Sequence, residues 1–121
     1  TVSSMELMKQ ANNAMLLGIA ESEDQMAEMF DMAQRLASAV GQDATYGIES
    51  LTTGIGRQSR LMLDNLGIIV ITADAHKAYA KQIGKTVSAL TDQEKKTAFT
   101  NAAMEAAREK VDRVGDEQKT T

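Results

Sequence analysis

Apolar positions recur along most of the chain at three- and four-residue spacing, the period of a helix with one face turned to a core. The first such segment is about Ser3 to Ala20, where Met5, Met8, Met15, Leu16 and Ile19 form a stripe interrupted by Asn12. The second is the clearest. Ser22 with Gln25 three residues later has the form of a capping box, and Glu23 and Asp24 stand in the first turn, where the helix dipole favours acids. Met26, Met29, Phe30, Ala33, Leu36, Ala37 and Val40 follow at helical spacing up to a Gly41 stop. A third helix starts at an Asp43 N-cap, with Ala44, Ile48, Leu51 and Ile55 as its stripe. Gly47, Gly54 and Gly56 weaken it, which fits either close helix packing or a frayed end.

The pattern then changes. Arg57 to Arg60 is polar, and Leu61, Met62, Leu63 and Leu66 surround an Asp64-Asn65 turn signal. Gly67-Ile68-Ile69-Val70-Ile71-Thr72 is the one β-like run. A solitary strand leaves its backbone edge unpaired, so a buried extended connector is expected, with pairing between chains as the alternative. A short fourth helix, about Ala73 to Ile83, has Thr72 as its expected cap and Gly84 as its stop, with Ala75, Ala78, Tyr79, Gln82 and Ile83 on one face. Thr86 to Leu90 is a helical turn or a loop. Thr91-Asp92-Gln93-Glu94 is a second capping box, and the fifth helix runs from it to about Val114 with Phe99, Ala102, Ala103, Ala106, Lys110 and Val114 along one side. Residues 115–121 are expected to be a frayed tail. The predicted fold class is all-α: a compact bundle of about five helices with one extended connector, residues 1–121 forming a single helical domain.

Composition agrees with this. Aromatics are 3% of the chain and eight Met are present, so the core must be built from Ala, Leu, Ile, Val and Met, which favours helices. The absence of Cys excludes a disulfide framework and thiolate metal sites. Net charge is -4. Residues 1–66 carry nine acids and four bases, residues 67–121 eight acids and nine bases, and neither half offers the basic patch that neutralises phosphates. No apolar run approaches the ~20 residues of a membrane span. The chain begins with Thr1 and is expected to be a piece of a longer polypeptide.

Candidate chemistry is sparse. His76 is the single histidine, in the first turn of the fourth helix beside Asp74 and Lys77, and is expected at the surface. The carboxylates Glu21, Glu23 and Asp24 suit a helix N-terminus better than acid–base catalysis. Gly54-Ile55-Gly56-Arg57 lacks the third glycine of a dinucleotide loop and the Gly-Lys-Ser/Thr of a phosphate loop. No catalytic residue, metal ligand or cofactor site is assigned.

Three ordered stretches carry a resemblance. Thr52-Thr53-Gly54-Ile55-Gly56-Arg57-Gln58-Ser59 is followed by Leu63-Asp64-Asn65-Leu66-Gly67-Ile68-Ile69-Val70. Tyr79-Ala80-Lys81-Gln82-Ile83-Gly84-Lys85-Thr86 then leads into Leu90-Thr91-Asp92-Gln93-Glu94-Lys95-Lys96 and Phe99-Thr100-Asn101-Ala102. This order, covering about Val40 to Arg108, resembles a folded region of bacteriophage and prophage tail tape measure proteins, N-terminal to their long central helix. The resemblance implies a non-enzymatic virion protein that occupies the tail tube lumen and sets tail length. It implies partners in copies of itself (a homo-oligomer in the full-length protein), the tail tube protein and tail assembly chaperones. The implied location is the virion tail, and the host cytoplasm during assembly. The glycine breaks depart from a simple ruler, since a ruler is one long helix gaining ~1.5 Å per residue.

Association through helix faces is the expected mode of action. Met26, Met29, Phe30, Leu36 and Val40 are expected to bury against Leu51, Ile55, Leu61 and Leu63, and the candidate interaction residues are Met26, Met29, Phe30, Ile68, Ile69 and Val70. A rival reading is a small adaptor that binds a partner helix in a Met-rich groove. A third is an enzyme that depends on Glu21, Glu49 or His76.

Overall fold

The computed structural model describes residues 22–119 together with Met5, Met8 and Lys9, with side chains as far as Gly115. Met5, Met8 and Lys9 are helical, and the rest of the expected first helix lies outside the described residues. The described chain is all-α: α1 (Glu23–Ala39), α2 (Ala44–Gly56), α3 (Arg60–Asp64), α4 (Thr72–Ile83), a 3₁₀ turn (Val87–Ala89) and α5 (Asp92–Lys119). Among the described residues there is no strand.

Capping side chains start most of these helices. Ser22 Oγ accepts from the Gln25 amide at 3.1 Å, Asp43 Oδ1 from the Tyr46 amide at 2.8 Å, and Ser59 Oγ from the Met62 amide at 3.3 Å. Thr91 and Glu94 complete the full reciprocal box: the Glu94 amide donates to Thr91 Oγ1 at 3.1 Å and the Thr91 amide to Glu94 Oε1 at 2.9 Å. Helix α4 is the exception. Its N-cap is Ile71, with no side-chain cap bond, because the extended backbone persists one residue before Thr72, which becomes the first helical residue instead of the expected cap.

Four helices end in the same way, with a left-handed residue and paired 6→1 and 5→2 bonds. After α1 the Gln42 amide donates to the Ala37 carbonyl at 2.8 Å and the Gly41 amide to Ser38 at 3.1 Å. Gly67 after α3 and Gly84 after α4 do the same, each with φ above +70°. At the end of α2 the left-handed position is Gln58, φ 52°, where a side chain costs ~1 kcal/mol. Ser59, whose amide closes α2 on the Gly54 carbonyl at 2.8 Å, then caps α3 with its hydroxyl.

The core lies between α1, α2 and α5. Helix α1 packs most extensively on α2 and also on α5; α3 packs on α2, and α4 packs on α5. Met29, Leu36, Ile48, Leu51, Ile55, Leu63, Leu66 and Phe99 are fully buried there. The expected packing holds for Met29, Leu36, Leu51, Ile55 and Leu63, with Met26 and Phe30 half-buried against the cluster. It fails for Val40, which is the α1 C-cap and 43% exposed, and for Leu61, 76% exposed on the outer side of α3. Helix α3 itself was hidden from periodicity, since five residues give too little repeat to read.

The glycines of α2 resolve in favour of close packing. A Cβ on Gly47 would collide with the Ala33 carbonyl and lie 2.7 Å from the Ala37 Cβ; one on Gly54 would lie 2.8 Å from Leu63 Cδ2. Helix α2 thus presses its small-residue face on α1 at one end and on α3 at the other.

The fourth helix buries a different face from the expected one. Ala75 and Ala80 are buried and Thr72, His76 and Tyr79 half-buried, a clean i, i+3, i+4, i+7, i+8 stripe, while Ala78 and Gln82 face outward. His76 therefore belongs to the buried stripe and not to the surface, with its Nε2 shielded from solvent. Helix α5 continues through Gly115 to Lys119, beyond the Val114 end and into the expected frayed tail.

Leu36→Ala should lower stability by ~2–5 kcal/mol, read from chemical denaturation. Gly47→Ala should destabilise by ~1–3 kcal/mol, because the clash with the Ala33 backbone outweighs the ~1 kcal/mol helix-propensity gain of Ala over Gly.

Candidate functional site

The six residues singled out for interaction separate into inside and outside. Met29, Ile68 and Val70 are core residues, and Met26 and Phe30 lean half-buried on the core. Ile69 alone faces solvent, 73% exposed. An apolar stripe at helical spacing does not distinguish core from contact surface, so the Met residues of α1 that suggested a groove are largely spent on the interior: Met32 is buried as well.

The exposed apolar surface gathers instead around the connector. From Ile68 to Ile71 the backbone is neither helix nor strand, extended at Ile71, and side chains alternate, Ile68 and Val70 inward, Ile69 and Ile71 outward. The Ile68 amide is taken by the Leu63 carbonyl at 3.1 Å and the Ile71 carbonyl by the Ala75 amide at 3.0 Å, while the amide and carbonyl of Ile69 and Val70 pair with no other backbone group among the described residues. Gly67 seats the start of the connector on α5, where a Cβ would lie 3.0 Å from Lys110 Cε.

Two shallow grooves flank this segment. One, of about 340 Å³, lies between Arg60, Leu61 and Asp64 of α3 and the connector. The other, of about 270 Å³, lies between α4 and α5, floored by Ile69, Ile71, Ala78, Ala102 and Ala106. Asp74 of α4 and Glu105 and Glu109 of α5 also line it. Leu61 shares the first groove with Ile69, and Ile69 shares the second with Ile71, so the three exposed apolar side chains form one patch. Of this patch the sequence singled out Ile69, expected Leu61 to be buried, and did not point to Ile71 or the acidic rim. The rim residues are 31 or more positions apart in sequence between α4 and α5, and only the α4–α5 packing brings them together.

The groups expected to matter for chemistry are dispersed. Glu49 is exposed on α2, His76 is on α4, and Glu21 lies outside the described residues. Among the described residues no three His, Asp or Glu side chains cluster as a metal would require. Gly54-Ile55-Gly56 lies in the last turns of α2 and is helix, not a phosphate loop. No described helix is long and apolar enough to cross a membrane. No protein-family model matches the chain, and no solved structure matches it significantly.

One polar cluster is well built. Lys85, just past the α4 stop, bonds both carboxylate oxygens of Glu94 at 2.9 and 2.8 Å, and Glu94 also closes the Thr91 box. Lys85 chiefly, and the Thr91 amide next, hold the Glu94 carboxyl below the usual carboxylate range. A depressed folded-state pKa stabilises above the ordinary carboxylate value of about 4.3 and is lost as pH falls through the lowered value. The stability advantage of the wild type over Glu94→Gln should thus be full at neutral pH and shrink in acid. Melting temperatures of both proteins across the acid range check this.

Proposed function

We propose that this chain is a non-enzymatic structural module of a phage tail tape measure protein. The observation that carries the reading is where the residues of the resemblance fall. Gly54 to Ser59 form the closing turns and cap of α2; Leu63 to Ile68 form the closing turn of α3; Ala80 to Lys85 close α4; and Thr91 to Glu94 open α5. Ile55, Leu63, Leu66, Ile68, Leu90 and Phe99, from the same stretches, are buried. The shared residues are therefore those that stop helices, cap them and fill the core. Such residues specify a shape and need no reactive centre, which suits a protein whose task in a tail is mechanical.

The repeated glycine stops favour a folded module attached to a ruler over a segment of the ruler itself. In this reading the module's partners are its own copies, the tube protein and the tail assembly chaperones, and its place is the virion tail after assembly in the host cytoplasm.

The test is made on particles from the genome that encodes the chain. Peptides of this chain should co-purify with tails, and in-frame deletion of residues 22–119 should leave tailless heads or tails of altered length in electron micrographs. Peptides absent from purified tails, with normal tails after the deletion, would reject the proposal.

A further inference from the structure

The run Ile68-Ile69-Val70-Ile71 has the composition of a segment covered on both faces, since an extended segment with one wet face alternates apolar with polar residues. The fold covers one face. Ile68 and Val70 are buried, whereas Ile69 and Ile71 are 73% and 56% exposed and continuous with Leu61 at 76%. Single exposed apolar residues are ordinary; a contiguous patch lining two grooves marks a contact surface.

Charge selects the occupant. Asp74, Glu105 and Glu109 stand around the α4–α5 groove, exposed, and none is in an ion pair with another described residue. Among the described residues no Lys or Arg lines that groove; Arg60 lines the neighbouring groove together with Asp64, Lys110 lies against Gly67, and Arg108 of α5 is held by Glu28 at 2.6 Å. A second copy seated here about a two-fold axis would bring both sets of three carboxylates into one interface, which like-charge repulsion opposes. An anionic membrane or nucleic acid is repelled for the same reason. The floor is mostly alanine, so a helix backbone can come close, and about 270 Å³ accommodates one or two large aliphatic side chains.

We infer that the α4–α5 groove, with the Leu61–Ile69–Ile71 patch beside it, is the docking site for a basic amphipathic helix of another protein. One or two Leu, Ile or Met anchors enter between Ile69, Ile71 and Ala106, and flanking Lys or Arg side chains meet Asp74, Glu105 and Glu109. The inference rests on the groove alone and stands whether or not the chain belongs to a tail.

The probe is a synthetic 18-residue helical peptide with Leu at i, i+4 spacing flanked by Lys, compared with a twin carrying Glu for Lys and another carrying Ser for Leu. Binding to the full 121-residue chain is read by anisotropy at low salt and located by amide chemical shifts. The Lys–Leu peptide should bind with a Kd of about 10–100 μM, at least about tenfold tighter than either twin, with shifts centred on residues 69–78 and 102–109. Ile69→Ser, and separately Glu105→Lys with Glu109→Lys, should each weaken it about tenfold; all three positions are solvent-exposed, and circular dichroism confirms that the variants fold. Equal binding of the Lys and Glu peptides, shifts located elsewhere, or no loss in either variant would overturn the inference. So would a dimer of the chain itself that Ile69→Ser converts to monomer.

Discussion

Gly47 leaves no room for a side chain between α1 and α2, and the rest of the fold is arranged around that contact. The Ala33 carbonyl and the Ala37 methyl occupy the space where a Cβ would stand. Small residues on both helices bring the backbones close, and close backbones let Leu36, Ile48, Leu51 and Ile55 fill the interior without aromatic bulk. With two Phe in the chain, such packing is the available route to a dense core, and Phe99 of α5 completes it from the third side.

The second constraint is termination. Four helices stop on the same left-handed device, so direction changes are written into single residues: Gly41, Gln58, Gly67 and Gly84. Ser59 finishes one helix with its backbone and begins the next with its side chain. These junctions hold the chain as stacked helices, and they are residues on which the proposed tail role rests.

Much of this was legible beforehand. The Ser22 and Asp43 caps, the Thr91 capping box and the glycine stops depend on local bonds, and local bonds leave local signatures. The connector was legible because four consecutive β-branched residues break helical period. What escaped was tertiary. The α4 face was misread because a histidine in the stripe looks polar, although His76 is half-buried there with its Nε2 shielded from solvent. Helix α3 is shorter than the window periodicity needs. Met29, Ile68 and Val70, read as candidates for interaction, are buried in the core, because apolar spacing reports that a face is covered, not by what. The acidic rim joins Asp74 to Glu105 and Glu109 through α4–α5 packing, which no local pattern encodes.

Native-state hydrogen exchange tests the primacy of the α1–α2 contact most directly. Amides from Ala33 to Ala37 and from Ile48 to Ile55 should exchange last, with an opening free energy equal to that of global unfolding, while α4 opens earlier. Faster exchange in α2 than in α4, or separate opening of α1 and α2, would contradict the account.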